Sequence, residues 1–283
     1  MRTRLSALVA GVALVLAACS SSGATAAQSL APSTLAASTT PASARPAASA
    51  LTIYGASSLK AVLAKVKAAY ETANPGTTLT ISTDSSTALE TQIEQGAPAD
   101  VFLSADTTNP QKLVAKGLAS GSPLKFAGNL LTVIVPTANP AGITTPADLA
   151  RSGVKVIAAG DAVPITKYAT QLVTNLARES GYPAGFAAGY AANVVSKEDN
   201  VAAVVSKIEL GEGDAAIVYV TDARTSTKVT TVAVPADANV PATYSGVVLN
   251  ASRNAAAAQA FLTWFGGPDG QAILASFGFL PPS

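Results

Sequence analysis

Two serine pairs, Ser57-Ser58 and Ser85-Ser86, each stand between a β-type run and a segment of helical periodicity. That position is a helix start, where backbone N–H groups lack intrahelical partners and the helix dipole is positive. Val163-Pro164-Ile165-Thr166 and Glu198-Asp199-Asn200 occupy two further starts of the same kind. Hydroxyls and free amides gathered there offer hydrogen-bond donors, so the matching guest is an anion held without a cationic side chain. Taken singly, each start is an ordinary cap, because Ser, Thr, Asp and Asn are the preferred N-cap residues.

Composition removes most other chemistry. The 283 residues contain no His, which excludes a Ser-His-Asp triad, a Cys-His dyad and an imidazole zinc site. One Cys excludes a disulfide framework. Balanced charge, 18 Lys+Arg against 17 Asp+Glu, supplies no basic stripe for nucleic acid. At 49% hydrophobic residues the chain can bury a sizeable core. Ser57-Ser58-Leu59-Lys60 fits the S-x-x-K pattern of serine acyl-enzymes, with Ser57 as nucleophile, but the S-D-N and K-T-G companions of that pattern are missing. Gly211-Glu212-Gly213 resembles part of a dinucleotide loop, yet it precedes a strand instead of following one.

The elements that must position these groups alternate. Strands are predicted at Leu51–Tyr54, Leu79–Ser82, Val101–Leu103, Leu130–Val135, Val154–Ala158, Ala215–Val220, Val229–Val234 and Thr243–Leu249. Helices are predicted from Ser57, ended by Asn74-Pro75-Gly76, and at Ser86–Gln95, Pro110–Lys116, Ile165–Glu179, Asn200–Leu210, Arg253–Phe265 and Asp269–Phe277. Leu59, Val62, Leu63, Val66 and Tyr70 form the apolar stripe of the first helix. Such alternation predicts an α/β protein, with ligands bound outside the carboxyl ends of the strands. So many short strands in a body of this length predict two lobes.

The N-terminal segment reads differently. Arg2 and Arg4 precede an apolar run too short to span a membrane, the pattern of a secretory signal over residues 1–18. The run ends Leu16-Ala17-Ala18-Cys19, which resembles the lipobox of bacterial lipoproteins. That resemblance implies a Cys19 carrying lipid after cleavage, and a location outside the cytoplasm on the cell membrane. Residues 19–50 are rich in Ser, Thr, Ala and Pro and are expected to be a disordered tether.

Several motifs, in order, resemble the molybdate-binding receptors of bacterial ABC importers. They are Ile53-Tyr54-Gly55-Ala56-Ser57-Ser58-Leu59, Thr83-Asp84-Ser85-Ser86-Thr87-Ala88-Leu89 and the long stretch from Gln92 through Gly96-Ala97-Pro98-Ala99-Asp100 to Asp106. Gly160-Asp161-Ala162-Val163-Pro164, Glu198-Asp199-Asn200, Ile217-Val218-Tyr219 and Gly278-Phe279 follow. The resemblance implies the two-lobe type II periplasmic-binding-protein fold, each lobe a mainly parallel sheet flanked by helices, with the ligand in the interlobe cleft. Residues 51–130 plus 235–283 would form one lobe and 131–234 the other. Ser58 and Ser86 would donate hydroxyl and amide hydrogen bonds, Ile165 and Asn200 backbone N–H groups, and Tyr219 its phenol. Molybdate, and tungstate with it, would be held as an oxyanion with no protein ligand on the metal and no cofactor. The implied partners are a membrane permease and its ATPase, with no nucleic acid, and the receptor itself would be a monomer. Sulfate or phosphate is the alternative anion, and a penicillin-binding or β-lactamase type of enzyme the distant alternative. Three residues depart from the family pattern: Lys167 adds a charge near the mouth, Asn200 replaces an apolar residue, and Asp84 puts a carboxylate beside the expected anion.

Overall fold

The computed structural model describes residues 49–282. Cys19, the signal segment and nearly all of the expected tether lie outside the described residues. Ser49 and Ala50, counted with the tether, instead open the first strand: they pair with Thr77 and Thr78 of the next strand, and the Ser49 N–H donates to the Gly76 carbonyl.

The first half runs β1 (Ser49–Ala56), a 3-10 turn (Ser57–Leu59) leading into α1 (Lys60–Ala73), β2 (Thr77–Asp84), α2 (Ser86–Glu94), β3 (Val101–Ser104), α3 (Thr108–Ala115) and β4 (Leu124–Asn129). The second runs β5 (Leu131–Pro136), β6 (Val156–Ala159), α4 (Pro164–Leu176), α5 (Phe186–Asn193), β7 (Val194–Glu198), α6 (Val201–Glu209), β8 (Ala215–Tyr219), α7 (Val220–Arg224) and β9 (Val229–Val232). The chain closes with β10 (Ala242–Val248), α8 (Ala255–Gly266) and α9 (Pro268–Ser276).

Two five-stranded sheets result, ordered β2-β1-β3-β10-β4 and β7-β6-β8-β5-β9. In the first, only β10 runs against the others; in the second, only β5 does. Each sheet with its helices makes one lobe of an α/β protein. The chain crosses between the sheets at Leu130, the single residue between β4 and β5, and returns through residues 233–241.

The apolar periodicities find their places. Leu59, Val62, Leu63, Val66 and Tyr70 are all buried, and Tyr70 meets Phe261 and Trp264 of α8 edge-on at 5.0 Å each. Fully burying a side chain of this size contributes about 1.5–3 kcal/mol. α1 ends as its sequence dictates: the Asn74 N–H closes on the Tyr70 carbonyl, and Gly76 takes φ 98°, which an L side chain resists.

Four elements had no sequence signal. β4 contains Lys125 and Gly128 and reads as loop, while α5, Phe-Ala-Ala-Gly-Tyr-Ala-Ala-Asn, has no apolar stripe. β7 is an edge strand whose five residues are all at least partly exposed, and α7 is one turn long. Among the described residues, no helix is long and apolar enough to cross a membrane.

Candidate functional site

All the serine-bearing turns leave the carboxyl ends of parallel strands. β1 ends at Ala56 and delivers Ser57 and Ser58; β2 ends at Asp84 and delivers Ser85 and Ser86; β3 delivers Ala105. Across from them, β6 leads to Val163-Pro164-Ile165, β7 to Asn200-Val201, and β8 ends in Tyr219 itself. Ala56, Ser57, Ser58, Ser85, Ser86 and Ala105 of the first lobe face Val163, Pro164, Ile165, Val201 and Tyr219 of the second around one small cavity of about 10 Å³. Among the described residues, no charged side chain lines it.

The local geometry leaves donors pointing at this space. At α2 the N-cap Ser85 makes no side-chain cap hydrogen bond, and at α4 the N-cap is Val163, which has no capping group. The Ser85 hydroxyl is therefore not spent on capping its helix, and at α4 the Thr166 N–H closes on the Val163 carbonyl at 2.9 Å, which leaves the Ile165 N–H as the orphan amide of that start. Pro164, with no N–H to lose, opens α4 and makes Ile165 its first donor. The Ser86 hydroxyl accepts from the Ala105 N–H at 3.0 Å, so its own proton is available. Ser58 Oγ lies 3.0 Å from the Tyr244 hydroxyl, which also accepts from Asn129 Nδ2 at 3.4 Å. Either hydroxyl can donate in the Ser58–Tyr244 contact, and with Tyr244 as the donor the Ser58 proton is left for the cavity.

Tyr219 completes the wall. It is 1% exposed, its ring meets Tyr168 and Tyr244 at 6.3 and 5.6 Å, and its hydroxyl has no hydrogen-bond partner among the described residues. Burial, reinforced by Tyr244, Tyr168, Asp222 and Asp106, pushes its pKa well above the usual phenol value. It therefore remains an O–H donor over the whole working range of pH. Behind it, the buried Asp222 accepts from the Tyr219 N–H at 3.3 Å. Burial raises the Asp222 carboxyl to about 7 against the opposing pull of that N–H.

Of the five residues singled out in the sequence, Ser58, Ser86, Ile165 and Tyr219 line the cavity together. Asn200 does not; its neighbour Val201 takes that place on the wall. The reason is chemical. Asn200 is the N-cap of α6, with Oδ1 accepting from the Ala203 N–H at 3.1 Å and Nδ2 donating to Asp84 Oδ1 at 2.9 Å. That bond also disposes of the awkward carboxylate, since Asp84 Oδ1 takes the Ser85 N–H at 2.7 Å and sits outside the lining. Lys167 is exposed on α4 and lines none of it. Ser57 reaches the cavity wall, whereas Lys60 is exposed and absent from it, so the S-x-x-K pair does not converge there. Tyr244 and Asn129 were invisible in the sequence. Their contacts join residues 186 and 115 positions apart, and neither sits in a motif.

A family model of bacterial extracellular solute-binding proteins matches residues 51–280. The molybdate-binding protein ModA of Mycobacterium tuberculosis is 33% identical over 83% of this chain and 86% of its own length. Among solved structures, the periplasmic molybdate-binding protein of Azotobacter vinelandii is 26% identical, with a TM-score of 0.70 over 82% of this chain and 100% of that one. The sulfate-binding protein SubI of Mycobacterium tuberculosis superposes with a TM-score of 0.72 over 82% of this chain and 87% of its own. At 20% identity that likeness is one of fold alone.

Proposed function

This chain belongs to the bacterial extracellular solute-binding proteins, and we propose that it captures molybdate, and tungstate with it, for delivery to an ABC permease driven by its ATPase. The observation that carries the reading is the wall itself: hydroxyls and helix-start amides from both lobes, an unpartnered buried phenol and no charged side chain around one small cavity. A tetrahedral dianion that holds no proton at neutral pH needs donors and no acceptor. Neutral donors and helix ends spread its charge. They also avoid a tight ion pair, which would slow release. The relatives' names support molybdate over sulfate, since the molybdate-binding proteins are the ones similar in sequence as well as in fold.

In this reading Ser58, Ser86 and Tyr219 donate side-chain hydrogen bonds, while Ile165 and Val201 stand at the helix starts that donate backbone ones. Residues 51–130 with 235–283 and residues 131–234 are the two walls that ligand draws together. The receptor works as a monomer with no cofactor, outside the cytoplasm, held to the membrane through a lipid on Cys19 and without part in catalysis. Thermal melting with molybdate, tungstate, sulfate and phosphate tests the choice of anion. A ligand at a hundred times its Kd stabilises by about 2.7 kcal/mol, a readily measured shift. Molybdate and tungstate are expected to raise the melting point; a shift produced only by sulfate or phosphate would overturn the assignment.

A further inference from the structure

Four consecutive residues at the end of β2 divide their labour. Ser85 and Ser86 line the cavity, while the residues on either side of them reach across to the opposite lobe. Asp84 Oδ1 accepts from Asn200 Nδ2 at 2.9 Å, and Thr87 Oγ1 donates to the Ala162 carbonyl at 2.7 Å. Both acceptor–donor pairs span the cleft, with sequence separations of 116 and 75 residues. Both cross-cleft partners are locked in place. Asn200 is fixed by capping the Ala203 N–H, and Ala162 lies in the tight loop closed by the bond from the Val163 N–H to the Gly160 carbonyl. On the near side, the Asp84 carboxylate is steered by the Ser85 N–H and Thr87 Oγ1 by Asn109 Nδ2. These groups are part-buried or exposed, so they stand at the rim and not among the ligand donors.

We infer that Asp84 and Thr87 form a two-point clasp that holds the lobes shut over the bound anion, with Asp84–Asn200 its principal bond. The clasp touches no ligand. It acts on the closed state alone, because the two bonds exist only when the walls meet, so it slows release while leaving capture unchanged. A carboxylate beside an anion site is thereby turned from a repulsive neighbour into a fastener. What the clasp retains follows from the anion-receptor reading above; that it closes the cleft does not depend on it.

The test separates the bond from the charge and from the helix cap. Release of radiolabelled molybdate into an excess of unlabelled molybdate gives the dissociation rate of the full-length protein. Asp84→Ala removes the acceptor, and Asn200→Ser removes the amide donor while keeping an oxygen for the Ala203 N–H. Each is expected to release molybdate about tenfold faster, with association within about twofold of wild type. The double variant should be no faster than either single one. Asp84→Asn discards the charge but keeps an acceptor, and should release within about threefold of wild type. Wild-type release rates in Asp84→Ala, or single effects that multiply in the double variant, would overturn the clasp. Should the wild type bind no molybdate, the functional reading fails, and release is followed instead with whichever of tungstate, sulfate or phosphate raises the melting point. Asp84→Ala must then release that anion faster than wild type, and equal rates would refute the clasp.

Discussion

Replacing Tyr219 by Phe deletes one oxygen from the cavity wall and nothing else the fold relies on. The ring keeps its edge-on contacts with Tyr168 at 6.3 Å and Tyr244 at 5.6 Å. The hydroxyl has no partner to abandon among the described residues, so no group is left unpaired there, and the ligand-free variant should melt no lower than wild type. With an anion in the cleft the balance reverses. A hydrogen bond from a neutral donor to a charged partner contributes about 1.5–3 kcal/mol, more when both are withdrawn from water as they are here. Its loss should weaken molybdate binding by about ten- to a hundredfold. Isothermal titration gives the affinity, and melting curves with and without molybdate give the two stabilities on the same preparations. The signature is a ligand-free melting point at or above wild type together with a reduced molybdate-induced shift. An unchanged affinity would show that the phenol faces no ligand, and the wall described above would not be the binding site.

Ser86→Ala should fail on both counts, since the Ala105 N–H loses its acceptor; a stability loss of about 1–3 kcal/mol in denaturant titration is expected with the fall in affinity. Tyr244→Phe should weaken molybdate binding by only about three- to fivefold, because it acts through the 3.0 Å contact with Ser58 and leaves the serine hydroxyl in place; calorimetric comparison with Ser58→Ala, expected to lose tenfold or more, checks the order. Asp222, raised to about 7 by burial, binds its proton more tightly folded than unfolded, so wild-type stability should fall as pH climbs from about 4 to about 7 and stay low above. Asp222→Asn keeps a side-chain oxygen for the Tyr219 N–H without the charge, and its melting point should gain on wild type between pH 5 and pH 8, by about 2–3 kcal/mol in stability. The same difference at both pH values would exclude Asp222 as the titrating group.

The fold and most of the cavity lining were legible because both are written in local patterns. A strand followed by a serine-bearing helix start is visible in a dozen residues, and Ser58, Ser86, Ile165 and Tyr219 were found that way. Asn200 shows where local reading stops. As a residue type it suits both a donor and a cap, and only its bonds to Ala203 and Asp84 show that it is the cap, one position short of the wall. Asp84 was unreadable for the same reason, its role being settled by a partner 116 residues away. β4 and α5 were missed for a different one: glycine and alanine carry too little hydrophobic contrast to make a period, and packing alone makes those segments regular.

The insertion of β10 between β3 and β4 bears on how the molecule comes into being. During synthesis, the sheet begun by β1 stays split down its middle until nearly the whole chain has emerged, whereas β5 to β9 complete their own sheet without it. A chain cut short before Ala242 owns every serine of the cavity, on strands that pair with one another without β10, but it lacks Tyr244 behind Ser58 and the strand that joins β4 to that sheet.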